Sequence, residues 1–205
     1  MQNYADLLFS EPVKAFQEKA GMRDRYQQIY ETRFRDDLDE KTVTFIEQST
    51  SFYVASIGAN DWPYVQHRGG PAGFVKVLGS DTIGFADYLG NRQFITQGNL
   101  ETSKRVSLFF MDYPHRARLK MQGEATMISA DADTELASTL SVEGQGPVER
   151  LTVIKILARD WNCPKYITPR FTEDEVRYLV SRELKPLVEE NAYLKARIAK
   201  LEGSD

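Results

Sequence analysis

Two neighbouring stretches of the chain decide its fold: QHRGGPAGFVK at residues 66–76 and DYLGNRQ at residues 87–93. Each joins a run of strand-forming residues to glycines, cations and small hydrogen-bonding side chains. Glycine lets a backbone approach a bulky group closely, and arginine and lysine form charge-assisted hydrogen bonds to phosphate oxygens. Together the two stretches predict a strand-built site for a phosphorylated cofactor.

Strand signals surround these stretches. Short β-rich runs separated by glycine, asparagine, aspartate and proline turns predict an antiparallel barrel, because many short strands with close turns are typical of that architecture. The predicted strands cover residues 52–57, 64–68, 74–78, 82–86, 106–111, 117–128 and 148–157.

Helices are predicted beside the strand region. Ser10, followed by Pro12, is typical of a helix start, and Gly21 is typical of a helix end. Asp39 predicts the cap of a second helix over residues 40–48, and residues 131–142 predict a short helix between strands. The chain is therefore expected to be mostly β with flanking helices.

The order of these pieces resembles the flavin mononucleotide (FMN) split-barrel family, whose best-known members are the pyridoxamine 5'-phosphate oxidases. The match covers roughly residues 52–128 and is closest to a bacterial branch of flavin-nucleotide-binding proteins. Three runs typical of that branch stand here as Arg68-Gly69-Gly70, Gly90-Asn91-Arg92 and Trp161-Asn162-Cys163-Pro164. The resemblance implies an FMN-binding split β-barrel over residues 51–170, with N-terminal helices (1–50) packed on it and a C-terminal helical segment (171–205).

The resemblance also implies which residues hold the FMN phosphate. Lys76 falls where the family places a phosphate-binding lysine. Asn91, Arg92 and Gln93 fall on its phosphate turn, although the family usually has a lysine where this chain has Gln93. The oxidases carry a further arginine near Pro71, and Arg68 is the candidate to replace it.

Other contacts implied by the resemblance concern the rest of the cofactor. Val75 lies beside Lys76, and Asp87 and Tyr88 end the strand that faces the flavin ring or its ribityl chain. Arg118 falls near a polar residue that contacts the flavin, where a cation would stabilise the reduced anion. Trp161 follows the barrel and is expected to stack on the flavin of the other subunit.

Each of these residues also has a plainer interpretation. Lys76 and Arg92 are solvent-facing cations by default, since exposed charge is the norm. Asp87 alone would merely begin a turn, and a surface role for Arg118 is supported as well as a flavin contact. Trp161 alone fits a partly buried structural tryptophan. His67 is either a proton donor near the flavin or a structural residue.

Composition excludes several classes of function. The 205 residues carry a net charge of −4, which argues against nucleic acid as a partner, and no apolar run approaches membrane-spanning length. The N-terminus lacks a secretory signal pattern. One cysteine, Cys163, fits a reducing cytoplasm, and with only His67 and His115 as histidines no metal site is expected.

The predicted function follows from the family and from the departures from it. The helix expected to bind the substrate phosphate in pyridoxamine 5'-phosphate oxidases is acidic here, over residues 131–138, and would repel that group. We therefore expect an FMN-dependent oxidoreductase acting on a small molecule, with NADH or NADPH as a candidate electron donor. The alternatives are a non-catalytic flavin-binding or flavin-sensing module whose coiled coil recruits a partner, and a pyridoxamine or pyridoxine 5'-phosphate oxidase. A deazaflavin or haem could also replace FMN, since one fold hosts several cofactors.

The C-terminal segment has a different pattern. After Thr172, which predicts a helix start, apolar residues take heptad spacing, and Pro186 is expected to interrupt an upstream helix and begin a new one. This pattern predicts a coiled coil within a homodimer; the alternative is one amphipathic helix lying on its own barrel. The seam residues are Leu184, Leu187, Asn191, Leu194, Ile198 and Leu201.

Overall fold

The computed structural model describes residues 1–35, 37–161 and 164–202. The chain divides into two compact units. The first contains Met1–Asp112 and Ala117–Lys165, and the second contains Tyr113–Arg116 and the chain from Tyr166 onward. All strands of the described sheet lie in the first unit.

The sheet has seven antiparallel strands in the spatial order β2-β1-β5-β6-β7-β4-β3. Among the described residues the edge strands β2 and β3 do not pair with each other, so the sheet is a split barrel that stays open. This confirms the predicted class, mostly β with flanking helices. The strands are β1 (Ser51–Ile57), β2 (Pro63–Gly69), β3 (Val75–Val77), β4 (Thr82–Tyr88), β5 (Arg105–Asp112), β6 (Ala117–Ser129) and β7 (Val148–Trp161).

Alternation along the strands builds the core. On β1, Phe52 and Val54 are buried while Tyr53 between them is exposed, as the two-residue period of a strand requires. The Phe52 ring stacks on Phe110 at 4.7 Å and meets the edge of Phe85 at 5.5 Å. These rings join strands β1, β4 and β5 across the interior.

Helices flank the sheet in the first unit, and Asp39 begins one of them as predicted, since its side chain accepts a hydrogen bond from Thr42 N at 2.9 Å. The predicted helix over 131–142 is shorter than expected and follows a 3-10 turn, Ala130–Ala132. The helices are α1 (Tyr4–Leu8), α2 (Glu11–Lys19), α3 (Arg23–Arg33), α4 (Glu40–Gln48), α5 (Ile95–Thr102) and α6 (Thr134–Leu140).

The second unit contains one long helix, α7 (Glu173–Glu202). Thr172 and Glu175 form a reciprocal cap at its start, with Thr172 N donating to Glu175 Oε2 at 2.6 Å and Glu175 N donating to Thr172 Oγ1 at 3.3 Å. Pro186 lies inside this helix, so the predicted interruption was wrong. No helix in the described part of the chain is both long enough and apolar enough to cross a membrane.

Candidate functional site

The connection from β4 to α5, residues 89–94, has an unusual backbone. Arg92 and Phe94 both adopt the left-handed region, with φ of 57° and 56°. The Asn91 side chain supports the bend, because its Oδ1 accepts a hydrogen bond from Gln93 N at 3.2 Å. Left-handed non-glycine residues are strained and concentrate at functional sites. The strain therefore marks this turn as a candidate site.

The turn leads directly into the amino end of helix α5. The first backbone amides of a helix have no partner inside it, and Phe94, at the N-cap, has no polar side chain to accept from them. These amides and the helix dipole favour an anion. Residues 90–97 line a cavity of about 90 Å³ together with Arg68, Asp87 and Arg150. We call this cavity the turn cleft.

A chain of alternating charges runs along the turn cleft. Arg92 Nη2 donates to Glu149 Oε1 at 2.9 Å. Arg150 Nη2 lies 3.4 Å from Asp87 Oδ2, and Arg68 Nη1 donates to Asp87 Oδ1. Glu149 Oε2 is also 3.5 Å from Arg150 Nη1, an ion-pair distance without hydrogen-bond geometry. Three guanidinium groups thus face two carboxylates, which leaves one excess positive charge.

Two of these guanidinium groups keep unused donors. The Nε atoms of Arg68 and Arg150 are buried and have no hydrogen-bond partner within the described residues. Leaving a buried donor unpaired costs about 1–3 kcal/mol. Their positive charges nevertheless line the turn cleft together with Arg92, and an oxygen-rich anion is the ligand that guanidinium groups bind best, so the residues present fit a phosphate-bearing group.

A second cavity adjoins the first. It measures about 290 Å³ and lies beside residues 67–71, the rings of Phe74 and Phe85, and Gln145. We call it the glycine cleft. A Cβ on Gly70 would lie 2.7 Å from the Phe74 side chain, so only glycine fits there. Because Arg68, Asp87 and Tyr88 line both clefts, the two form neighbouring parts of one candidate site.

The structure brings together six of the ten residues that the sequence predicts for the cofactor. All six line the turn cleft, and the Tyr88 hydroxyl also accepts a hydrogen bond from Val142 N at 2.8 Å. The loop after α6 is thereby tied to the end of β4. The six residues are Arg68, Asp87, Tyr88, Asn91, Arg92 and Gln93.

Three other predicted residues do not line either cleft. Val75 is fully buried in the core, paired with Phe85. Lys76 is paired with Gly84, so its side chain lies on the face of β3 opposite to Val75. Arg118 of β6 is paired with Met111 of β5, and the Arg118 Nε is another buried donor without a partner among the described residues. Their roles toward a cofactor stay predictions.

Trp161 packs within its own chain. Its ring meets the edge of Phe45 of α4 at 4.7 Å, and Lys41 Nζ lies 4.6 Å from the ring centre. The structural interpretation of this tryptophan therefore has direct contacts, while stacking on a second subunit's flavin stays a prediction. Asn162 and Cys163, which continue the same sequence run, lie outside the described residues.

Sequence reasoning missed the contribution of strand β7. Arg150 is paired with Asp87 across the β4–β7 ladder, and the adjacent Glu149 holds Arg92. Gln66 was also missed: its Oε1 accepts a hydrogen bond from Thr96 Oγ1 at 2.7 Å, which connects β2 to α5. The available signal was the pair of adjacent charges, Glu149 and Arg150, near the start of the last predicted strand.

His67 lies at the rim of the glycine cleft, with its ring 5.5 Å from that of Tyr53. Its position is compatible with either of the roles considered for it. In the described parts of the chain, no group of three or more His, Cys, Asp or Glu side chains is arranged to hold a metal ion.

Comparison with known proteins places these features in a family context. The family model described as pyridoxamine 5'-phosphate oxidase matches residues 38–161, which is more than half of the chain. No curated protein is significantly similar to the chain in sequence.

Solved structures of similar fold share little sequence with it. HupZ of Group A Streptococcus is 12% identical, with 65% of this chain and 98% of that one covered and a TM-score of 0.48. General Stress Protein 26 from Bacillus anthracis str. Sterne is 16% identical, with 65% and 95% covered and a TM-score of 0.47. An FMN-binding protein from Syntrophomonas wolfei is 13% identical, with 71% and 97% covered and a TM-score of 0.44.

Proposed function

Because the chain belongs to the pyridoxamine 5'-phosphate oxidase family, we propose that it binds FMN at the turn cleft and uses it for redox chemistry on a small molecule. One observation carries the proposal: a cation-rich cleft meets the uncapped amino end of a helix. Arg68, Arg92 and Arg150 line it. A phosphate group satisfies all of these features at once.

Each part of the turn cleft has a role toward the phosphate. Arg92 is 60% exposed at its side chain and can turn from Glu149 to a ligand oxygen. Asn91 supports the bend just before helix α5, whose first residues, 95–97, line the cleft. Arg150 adds a further positive charge to the cleft wall, where Asp87 positions it at 3.4 Å.

The glycine cleft would receive the larger, less polar part of the cofactor or the substrate beside it. Phe74 and Phe85 supply apolar walls. Gly70, which has no side chain, lets the backbone pack directly against the Phe74 ring at the cleft. Bound FMN would supply the transfer of hydride or electrons. The Arg68–Asp87 pair lies between the two clefts, where it can orient the cofactor and keep its charges fixed.

The test of cofactor binding is Arg92→Ala. Hydrogen bonds to charged groups contribute about 1.5–3 kcal/mol, so we expect FMN affinity to fall about tenfold or more. Riboflavin, which lacks the phosphate, should bind nearly unchanged. Titration by flavin fluorescence measures both, and Arg25→Ala, an exposed arginine of α3, is the control. Equal losses for the two ligands would contradict the phosphate assignment.

A turnover experiment separates an enzyme from a flavin-binding module. With FMN bound, anaerobic addition of NADH or NADPH should bleach the flavin absorption, and air should restore it over many cycles. Slow, stoichiometric bleaching without recovery for either donor would favour the non-catalytic alternative. The absorption spectrum of the loaded protein is the measurement in both cases.

Oxidation of pyridoxine 5'-phosphate is not part of the proposal. The segment that would have to bind a substrate phosphate carries Asp131, Asp133 and Glu135, all of them exposed. Asp133 is already used as the N-cap of α6, where its Oδ1 accepts from Leu136 N at 2.9 Å. Carboxylates repel a phosphate dianion, so a substrate without a phosphate is favoured.

A further inference from the structure

Helix α7 presents a row of exposed apolar side chains from Leu184 to its end. Each of the five is 47–68% exposed, and they follow one another at spacings of three, four and seven residues. Such a heptad row drifts around a straight helix but stays in line in a left-handed supercoil. The row, which we call the α7 seam, consists of Leu184, Leu187, Leu194, Ile198 and Leu201, together with Asn191.

We propose that the α7 seam pairs with the same seam of a second copy of this chain, as a parallel, in-register, two-stranded coiled coil. Leu184, Asn191 and Ile198 take the a positions, and the leucines of the seam after Leu184 take the d positions. Val180, which is 48% exposed, extends the d row by one heptad. The proposal rests on the helix alone and does not depend on flavin binding.

Asn191 determines the choice of partner. In a parallel pair each a residue faces the a residue of the same layer, so Asn191 meets its twin and the two amides bond to each other. In an antiparallel pair an a residue packs against d residues, which are leucine on both sides of Asn191 in this helix. That arrangement would bury the amide against hydrocarbon without a partner, at a net cost. An identical chain in register is therefore the occupant that fits.

The charges beside the seam agree with this orientation. Glu190 takes a g position and Lys195 takes the e position of the next heptad. In a parallel coiled coil a g residue lies beside the following e residue of the other helix, so Glu190 of one copy meets Lys195 of the other. The symmetry of the pair repeats this attraction on both sides.

Pro186 is compatible with the pairing because of its position. It takes a c position, on the outer side of the coil. Proline lacks the N–H that would bond the carbonyl of Arg182, four residues earlier. Arg182 takes an f position and is exposed, so water can satisfy that carbonyl. The seam itself is not interrupted.

The test is disulfide trapping in the full-length chain with Cys163→Ser as background. Leu184→Cys and Ile198→Cys place single thiols at two a positions that are 14 residues, about 21 Å, apart along the helix. Ala196→Cys, at an outward f position, is the matched control. We expect mild oxidation to give mostly crosslinked dimer for both seam variants and several-fold less for the control, on a non-reducing gel.

Other arrangements predict different gels. An antiparallel pair can bring at most one of the two positions to its twin, and a helix that is single or bound to another protein brings neither. Trapping at only one seam position, at neither, or equally at Ala196→Cys would overturn the proposal. None of these readouts requires a flavin, so they are independent of the proposed function.

A second variant tests the same proposal without a new cysteine, which could itself weaken the packing of the seam. Asn191→Leu removes the buried amide, so helix unfolding should occur at a higher temperature and species larger than a dimer should appear in sedimentation. An unchanged melting temperature and size distribution would show that Asn191 is not in a buried seam.

Discussion

Glu149 holds Arg92 in the position where a ligand phosphate is expected. The two side chains meet at 2.9 Å, with Arg92 mostly exposed and Glu149 three-quarters buried. A phosphate that approaches Arg92 must compete with this carboxylate and is repelled by its charge. We therefore interpret Glu149 as the group that occupies the arginine when no anion is bound.

This interpretation predicts the effect of Glu149→Gln. The variant keeps the shape of the side chain and removes its charge, so FMN affinity should rise several-fold, riboflavin affinity should stay unchanged, and the gain should shrink as salt screens the charge. Fluorescence titration at low and high ionic strength measures it. Glu124→Gln, which makes the same change at an exposed position of β6, is the control. A weaker FMN affinity would mean that Glu149 positions Arg92 instead of competing for it.

At the scale of elements, strand β7 shows why the sequence predicted only part of the site. The turn residues Asn91, Arg92 and Gln93 are contiguous, so their pattern was visible. Arg150 reaches the same cleft only because β7 pairs with β4, in a register that sets it opposite Asp87 from 63 residues away in the chain. No local pattern encodes that register. The strands themselves were predictable, since their alternation is local.

In helix α7 the sequence predicted a feature that the structure does not have, whereas in β7 it missed one that the structure has. Pro186 was expected to end one helix and begin another, because proline removes a hydrogen bond in a helix interior. The structure keeps one helix over Glu173–Glu202. The carbonyl that loses its hydrogen bond belongs to Arg182, which is exposed. Water can bond to this carbonyl, so the free-energy cost of Pro186 in the helix is reduced. The cost of an interior proline depends in part on whether water can reach the freed carbonyl, and residue preference alone does not report that.

The cap of helix α4 predicts a pH dependence of stability. Burial alone would raise the pKa of Asp39, but hydrogen bonds from the hydroxyl and amide of Thr42, with the charge of Arg159, hold that pKa below its usual range. A carboxyl whose folded pKa is lowered stabilises the fold above its unfolded pKa, about 3.9, and loses this contribution as pH falls through the folded value.

Asp39→Asn tests this dependence, because asparagine is an equally good N-cap but carries no charge. We expect the variant to be less stable than the parent at pH 7, and the difference to shrink progressively below about pH 4. Urea unfolding at several pH values measures the free energies. Asp131→Asn, at an exposed aspartate, is the control. A difference that stays constant down to the lowest pH would contradict the assigned charge effect.

At the scale of the whole molecule, the sheet leaves an apolar area uncovered in the single chain. Ile57 and Val65 are 49% and 61% exposed on the neighbouring strands β1 and β2, and Trp62 in the turn between them is 74% exposed. Exposed apolar groups clustered in this way mark interaction surfaces. We propose that two copies pair through this face, which makes the α7 coil a second, additional contact.

The two contacts can be separated by truncation after Lys185. Removing the α7 seam should leave a dimer that still binds FMN, because the sheet and both clefts lie in the first unit. The shortened dimer should melt at a lower temperature and depend more on protein concentration, since fewer contacts hold it and a coil of three heptads is marginal alone. Sedimentation, flavin content and thermal melts at two concentrations measure this.

A full-length variant with Ala192→Ser and Ala196→Ser, both on the outer side of the helix, should behave as the parent. A truncated protein as stable as the parent would contradict a stabilising coil, and a monomeric full-length protein would contradict both contacts.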